Sequence, residues 1–249
     1  FDELYKCLDK PLFKRFTRTN VIDYLRKFKS LNSVFICPIC GNEIIKSNPY
    51  EARASLDHWQ CKSKYQLSSV YWQNLVPMGE GCNKAPVKGA NEVFWTNNDR
   101  TLRQTFFYPY TWNGEINIGF NCRSEPNEDD LIGDWEFSFI GQSQEHQDLI
   151  DKWNKFFRIN DRWRSETLKE YLEVWYQLLA QYIITEGHKE DVNVHYRELL
   201  SSYRNSKNDF NLNPVSRVHW LFLNYLVEEA PEPLYESYKT LVISHINLI

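Results

Sequence analysis

The cysteine pair in the segment Cys37-Pro38-Ile39-Cys40-Gly41 constrains the fold of this 249-residue chain more than any other feature. It lies in residues 34–95, which are rich in Cys, Asn, Gly and Pro and have only short apolar runs. Two thiolates separated by two residues can bind one tetrahedral ion, and the glycine lets backbone N–H groups turn towards the sulfurs. A redox pair would need a βαβ pattern, and none surrounds it. We therefore predict a small module organised by a metal ion.

The composition predicts that most of the chain folds. Hydrophobic residues make up 42% and aromatic residues 16%, which is ample for a packed core. No run of about eighteen consecutive apolar residues occurs, so we expect neither a membrane-spanning helix nor a membrane partner. Six cysteines are too few for a fold that depends on disulfides, and the close pair favours a reducing compartment. The expected location is cytoplasmic.

The charge is uneven along the chain. The net charge is -4, which does not indicate a nucleic-acid binder. Residues 10–30, however, carry a net charge of +6, and this segment is either a solvated face or one that contacts phosphate. Its basic residues are Lys10, Lys14, Arg15, Arg18, Arg26, Lys27 and Lys29. Residues 125–151 contain nine acidic residues and no Lys or Arg, so that stretch repels DNA.

Hydrophobic periodicity predicts strands in the middle of the chain and helices at both ends. Asn20 is a predicted N-cap of a short helix. Alternation in residues 104–110 and 116–120, around Asn113-Gly114, predicts a hairpin, and residues 135–140 supply a third strand. Beyond residue 143 the pattern is helical, and Ser165 is predicted to open a long helix. Three further helices are predicted at about residues 191–204, 215–229 and 233–247.

These patterns give an α+β fold in four parts. The predicted parts are a basic N-terminal helical segment (1–33), the metal-organised module (34–100), a β-hairpin sheet with an acidic loop (101–142) and a helical C-terminal region (143–249).

Five short motifs within the module occur in a fixed order. They are the Cys37–Cys40 pair, Asp57-His58, Asn74, Cys82-Asn83 and Lys88-Gly89. Together they resemble the HNH endonuclease family, whose ββα-metal core has a Cys knuckle, an Asp-His pair, a central Asn, a Cys-Asn pair and a trailing Lys. The resemblance covers about a fifth of the chain, and five motifs in sequence are far more specific than any one of them. It implies that residues 34–100 are an HNH nuclease module.

The resemblance implies a role for each polar residue of these motifs. His58 would be the general base, since an imidazole with a near-neutral pKa can take a proton from water. Asp57 and Asn83 would bind one Mg²⁺ or Mn²⁺ ion, because both offer hard oxygen donors. Asn74 would brace the loop that positions the imidazole, and Asn83 would begin the helix of the motif. Asp57 and His58 can both reach the site only if their strand ends or bulges there.

For a structural zinc site, the motifs supply three of the four ligands. Cys37, Cys40 and Cys82 offer three sulfurs, but Gly79 stands where family members often have a fourth cysteine. Cys61, Cys7 or Cys122 can supply the missing sulfur, or the knuckle binds no metal. The other histidines, all in the helical part, have no metal-like spacing and are predicted to be structural.

Lysines next to these motifs predict contacts with DNA phosphates. They are Lys62, Lys64, Lys84 and Lys88. The sequence thus predicts a metal-dependent HNH endonuclease that hydrolyses DNA. By analogy it acts in prokaryotic defence against phage, with an ATPase or another defence subunit as partner. The alternative is a catalytically silent module, either nucleic-acid-binding or a zinc-ribbon adaptor, that acts through a protein partner. A further hypothesis is that the acidic stretch covers the basic groove until a partner arrives.

Overall fold

The computed structural model describes residues 2–32, 35–45, 56–97, 99–124, 133–207 and 214–248. It confirms a mixture of helices and strands, with two small antiparallel sheets, as expected for an α+β protein. The chain forms two compact units. The first comprises Phe1–Ile116 and Gly141–Ile159, and the second comprises Asn117–Ile140 and Asn160–Ile249.

The first unit is built from short elements around one two-stranded sheet. Its helices are α1 (Asp2–Lys6), α2 (Pro11–Thr17), α3 (Val21–Asn32), α4 (Glu80–Asn83) and α5 (Gln144–Phe157). Its strands are β1 (Leu56–His58) and β2 (Leu75–Pro77), which pair antiparallel. Single 3-10 turns lie at Cys7–Asp9, Gln66–Val70 and Trp72–Asn74.

Side-chain caps explain where two of these helices begin. Asn20 accepts a hydrogen bond from the backbone N–H of Asp23 at 2.8 Å, so the predicted N-cap is confirmed. Ser143 accepts from the backbone N–H of His146 in the same way and starts α5. Both caps satisfy an N–H group that has no partner inside its helix.

Aromatic side chains form the core of the first unit. Trp59 is buried, with its ring centroid 6.0 Å from that of Phe106 and 6.1 Å from that of Phe157 on α5. Trp153, also on α5, donates a hydrogen bond from Nε1 to the carbonyl of Ile39 at 2.8 Å. α5 therefore belongs with the cysteine module, and the division into units cuts across the predicted 101–142 and 143–249 parts.

The predicted hairpin at Asn113-Gly114 does not form. Residues 104–110 make no strand, and β3 (Ile116–Ser124) pairs instead with β4 (Asp134–Gly141). Phe106 and Phe107 are buried against α5, with ring centroids 5.3 Å from Phe156 and 6.3 Å from Trp153 respectively. The apolar side chains within residues 104–110 thus pack on a helix and do not pair in a sheet.

The second unit packs the β3–β4 sheet with a set of helices. The helical elements are α6 (Ile159–Arg162), a π-helical segment (Trp163–Leu168), α7 (Lys169–Thr185), α8 (Val192–Ser206), α9 (Pro214–Glu228) and α10 (Glu232–Leu248). The last three confirm the predicted helices within one to two residues. Ser165 does not open a helix, because it lies inside the π-helical segment that joins α6 to α7.

Trp135 lies at the centre of the second core. Its ring stacks on Phe120 at 4.7 Å and contacts Phe222 and Tyr238 at 5.5 and 5.6 Å between centroids. The sheet is therefore packed against α9 and α10. The part of the acidic stretch at 125–132 lies outside the described residues. Among the helices that the structure describes, none combines the length and the apolar character that a membrane crossing requires.

Candidate functional site

The β1–β2 hairpin positions the Asp-His pair. Asp57 lies opposite Val76 and His58 lies opposite Leu75, and β1 ends at His58. Both side chains are buried, with exposed fractions of 8% for Asp57 and 6% for His58. The strand therefore ends at the position where the sequence required an end or a bulge.

Asn74 holds the two ends of the loop that joins β1 to β2. Its Oδ1 accepts from the backbone N–H of Gln60 at 2.7 Å, and its Nδ2 donates to the carbonyls of Gln60 and Ser68, both at 3.1 Å. Its own carbonyl accepts from the N–H of Trp59 at 2.8 Å. One buried amide thus fixes the residues just after β1 against those just before Ser69.

The hydrogen bond of His58 defines which ring nitrogen carries a proton. Nε2 lies 2.9 Å from the backbone carbonyl of Ser69. Because a carbonyl only accepts, Nε2 is the donor, and Nδ1 is the acceptor in the neutral ring. The ring of Tyr5, on α1, packs against the imidazole with centroids 4.6 Å apart. Tyr5 and the Ser69 carbonyl therefore fix the orientation of the imidazole.

Lys88 connects the loop after α4 to the end of β1. Its side chain is completely buried, with Nζ 2.6 Å from Oδ2 of Asp57 and 2.8 Å from the carbonyl of His58. Burial raises the pKa of Asp57, and the adjacent Lys88 ammonium opposes that rise. The predicted contact between Lys88 and a phosphate does not fit this burial, because the ammonium is already occupied inside the unit.

Asn83 lies at the end of a helix rather than at its start. It is the last residue of the four-residue α4, and turns follow it, which differs from the helix predicted to begin there. Its carbonyl accepts from the N–H of Gly89 at 2.9 Å. Its side chain is partly exposed and makes no hydrogen bond to any residue that the structure describes. Asp57 and Asn83 have the oxygen chemistry for Mg²⁺ or Mn²⁺, but Lys88 competes for the Asp57 carboxylate.

The other three predicted phosphate-binding lysines lie on the surface. Lys62 is exposed, with Nζ 5.5 Å from the centroid of the Tyr5 ring. Lys84 pairs with Glu80 of α4, and Nζ of Lys64 lies 3.3 Å from Oε1 of Glu92. Lys62 thus lies close to the ring that covers His58.

The three predicted sulfur ligands come together. Sγ atoms of Cys37, Cys40 and Cys82 lie within 4.8 Å of one another, and all three residues are buried. Gly41, at φ 62°, turns the chain so that its N–H bonds to the carbonyl of Cys37 at 2.9 Å, and the N–H of Asn42 donates to Sγ of Cys40 at 3.4 Å. Three buried cysteines are ligands of the type that a metal such as zinc takes, and a closed tetrahedral site needs one more.

Proton sharing within the cluster favours one thiolate. Burial opposes ionisation of Cys37, but hydrogen bonds from Cys40, Cys82 and the N–H of Gly79 outweigh it and hold the pKa of Cys37 well below its usual value. The same hydrogen bond between the two sulfurs raises the pKa of Cys82. A cluster that already stabilises a thiolate is suited to binding a cation.

The sequence did not indicate several members of the site. Among the described residues, Cys7, Cys61 and Cys122 are not part of the sulfur group, although each was a candidate fourth ligand. Ser69 acts through its carbonyl, which every residue has, so its type gives no signal. Tyr5 lies far from His58 in sequence and belongs to no motif.

Comparisons of the chain with protein-family models, with curated proteins and with solved structures gave no match. The HNH resemblance therefore depends on the motifs and on the geometry described above.

Proposed function

We propose that this protein is a metal-dependent HNH-type endonuclease that hydrolyses DNA phosphodiester bonds. The orientation of His58 is the observation that supports this function most. Its Nε2–H is bound to the Ser69 carbonyl, and Asn74 holds the loop that contains that carbonyl. A general base needs a fixed ring with an unprotonated nitrogen, and this arrangement assigns that nitrogen to Nδ1.

In the proposed reaction His58 takes a proton from the attacking water at Nδ1. The positive charge that develops on the imidazole is stabilised by the Ser69 carbonyl, which accepts from Nε2. The Tyr5 ring shields one face of the imidazole and limits its rotation. Phosphodiester hydrolysis gains a factor of about 10² to 10⁴ from a positioned base of this kind.

Asp57 and Asn83 are the residues that would hold Mg²⁺ or Mn²⁺. When such an ion is bound, its charge stabilises the phosphate oxygens and the leaving oxygen. Lys88 has two effects on this carboxylate. Its ammonium favours the ionised form of Asp57 against burial, which raises the pKa of the carboxyl, and it also competes with a cation for Oδ2. Binding the cation therefore requires Asp57 to share its carboxylate or to exchange partners.

The basic N-terminal segment supports DNA as the substrate. All seven of its Lys and Arg residues are exposed, and Asp23 forms ion pairs with Lys14, at 2.7 Å, and Arg26, at 3.8 Å. The segment lies in the same unit as His58, and α1 places Tyr5 on the imidazole. Contacts of exposed lysines and arginines with phosphates bind nucleic acid without reading its bases.

The test uses supercoiled plasmid with Mg²⁺ or Mn²⁺, and single-stranded RNA in a parallel reaction. We expect nicking or linearisation of the plasmid with either metal, and none with EDTA. Cutting of RNA but not DNA would change the substrate class. Absence of cutting in every reaction, with the protein folded, would reject the enzyme.

The buried Asp57–Lys88 pair favours a second candidate function. If Lys88 permanently occupies the carboxylate, the protein is a catalytically silent module that binds nucleic acid or acts as a zinc-ribbon adaptor. The zinc-ribbon adaptor predicts stoichiometric zinc and no response to Mg²⁺. Binding of a labelled DNA duplex without cutting would support the nucleic-acid-binding form, and zinc without DNA binding would support the adaptor.

A role in defence against phage, an ATPase partner and a cytoplasmic location remain predictions from the sequence. Co-purification of the chain with an ATPase from its native cells would support the predicted partner.

A further inference from the structure

Glu43 lies beside the sulfur cluster, three residues after Cys40. Its Oε1 is 3.7 Å from Sγ of Cys40, and its Oε2 accepts from the N–H of Gly81 at 2.9 Å. Its carbonyl also accepts from the N–H of Cys37 at 2.8 Å. The carboxylate therefore lies between the knuckle and α4, the helix that carries Cys82.

The missing side chain of Gly79 leaves the space that the Glu43 carboxylate occupies. Its backbone has φ -65° and ψ 154°, which any residue can adopt, so a glycine is not needed for conformation. A Cβ at this position would lie 2.6 Å from Oε2 of Glu43 and 2.8 Å from its Cβ. The Glu43 side chain thus fills the space that a side chain at position 79 would need. Position 79 is where the resemblance places the fourth cysteine.

The distances between these atoms fit one tetrahedral ion. Two thiolates bound at about 2.3 Å lie about 3.8 Å apart, and a thiolate and a carboxylate oxygen lie about 3.5 Å apart. Sγ of Cys37 and Sγ of Cys82 are separated by 3.8 Å. The 3.7 Å between Cys40 and Glu43 is close to the second value.

We propose that Glu43 is the fourth ligand of a zinc site formed with Cys37, Cys40 and Cys82. Among the described residues, the group whose ligand atoms all lie within 4.8 Å of one another contains the three sulfurs and not Glu43. Zinc binding therefore requires the Glu43 carboxylate to rotate towards the sulfurs. The sulfur that Gly79 lacks is thereby replaced by an oxygen, and the total ligand charge is unchanged. This site closes the knuckle onto α4, and its existence does not depend on the nuclease activity.

The first experiment measures X-ray absorption at the zinc edge on the unaltered, zinc-loaded chain. We expect three sulfur ligands at about 2.3 Å and one oxygen at about 2.0 Å. Four sulfurs, or a chain that retains no zinc after gel filtration, would overturn the proposal. This measurement does not require any variant to fold.

The second experiment compares zinc affinities by competition with a chromophoric chelator. Glu43→Gln keeps an acceptor for the Gly81 N–H but removes the anionic ligand. Its affinity should fall at least about 100-fold, because even outer-shell partners are worth about 10- to 100-fold. The control is Glu80→Gln, at an exposed neighbouring position, which should keep the wild-type affinity. Wild-type affinity in Glu43→Gln would show that the carboxylate only caps α4.

The third experiment exchanges the ligand. Glu43→Ala combined with Gly79→Cys removes the carboxylate and fills its space with a fourth sulfur. We expect this double variant to recover zinc affinity and to show four sulfurs in the absorption spectrum. Gly79→Cys alone should bind zinc more weakly than the double variant, since the new side chain meets Glu43. Equal affinities of Gly79→Cys and the double variant would contradict the shared space.

Discussion

Single residues in this protein obtain their chemistry from neighbours that are distant in sequence. Lys88, with Nζ 2.6 Å from Oδ2 of Asp57, favours the ionised form of that carboxyl, and the Ser69 carbonyl sets the tautomer of His58. On an isolated hairpin Asp57 would lack the Lys88 ammonium, and His58 would lack the carbonyl that sets its tautomer.

Replacing Lys88 by Met should lower the free energy of unfolding by about 3 to 5 kcal/mol, because it leaves the Asp57 carboxylate buried without its partner. Asp57→Asn combined with Lys88→Met should lose less than the sum of the two single variants. Lys84→Met, which removes an exposed ion pair with Glu80, should change stability by about 1 kcal/mol or less. Urea unfolding of Lys88→Met, Asp57→Asn, the double variant and Lys84→Met measures these changes. Additive effects of the substitutions at positions 57 and 88 would reject the pairing.

His219 makes stability depend on pH. Burial lowers its pKa to about 3, with a smaller effect from the Lys207 charge, and its ring stacks on Trp175 at 4.4 Å. The unfolded state, with a histidine pKa of about 6.5, binds more protons between these values, so stability falls as the pH falls. Between pH 7 and pH 5 this residue should cost about 2 kcal/mol.

The measurement is urea unfolding of wild-type protein and His219→Gln at both pH values. The variant should lose most of this difference. His195→Gln, at an exposed position of α8, is the control and should retain it. A His219→Gln protein with the full wild-type pH dependence would show that other groups cause it.

At the scale of elements, the loop between β1 and β2 depends on one buried amide. Asn74→Ala removes the side-chain hydrogen bonds to Gln60 and Ser68 and leaves buried backbone groups without partners. We expect a loss of about 3 kcal/mol of stability and slower DNA cleavage, because Ser69 no longer holds His58. Hydrogen exchange should be faster at the Gln60 amide.

Asn91→Ala provides the matched control for this loop. Asn91 is exposed, and its side chain donates a hydrogen bond to the carbonyl of Val87 at 2.8 Å. We expect it to cost about 1 kcal/mol and to leave cleavage unchanged. Equal protection of Gln60 in wild-type protein and Asn74→Ala would contradict the bracing role of Asn74.

Elements whose signals are local were predicted well from the sequence. The Asn20 cap and helices α8 to α10 follow from capping residues and from apolar side chains that recur along one face. The Asn113-Gly114 hairpin was wrong because Phe106 and Phe107 pack on α5, which comes later in the chain. Strand pairing depends on such distant contacts, and a short alternating pattern does not contain them.

In the candidate site, too, local sequence signals were predictive and distant contacts were not. Motif spacing predicted that Cys37, Cys40 and Cys82 share a site, and the structure brings these three together. It did not identify the Ser69 carbonyl, because a backbone group has no residue signal. The burial of Lys88 and the position of Glu43 were also missed, since both depend on contacts across 30 or more positions.

At the scale of the whole molecule, the chain has two units that are stabilised by different interactions. The first has short strands and helices around the sulfur cluster, whereas the second has a core of long helices packed on a sheet. Within the first unit, the chain around the sulfur cluster has only short elements, and a bound metal would stabilise such a segment. Metal loss should therefore affect the two units unequally.

With zinc bound at the proposed site, its removal by a chelator should speed amide exchange in residues 35–45 and 75–89 at least about ten-fold, because the bound metal would stabilise this segment. Helices α7 to α10 should keep their protection. Exchange measured by mass spectrometry, with zinc added back as the control, tests this difference. Equal acceleration in both units, or no acceleration in either, would be inconsistent with a zinc-dependent first unit.

The rate of plasmid nicking by wild-type protein and by His58→Ala, measured with Mn²⁺ at equal DNA occupancy, tests the central claim most directly. We predict that His58→Ala binds DNA like wild type and cuts at least about 100-fold more slowly. The control His195→Ala replaces an exposed imidazole of the second unit and should cut at the wild-type rate. A His58→Ala protein that cuts as fast as wild type would contradict the claim that this imidazole activates the attacking water.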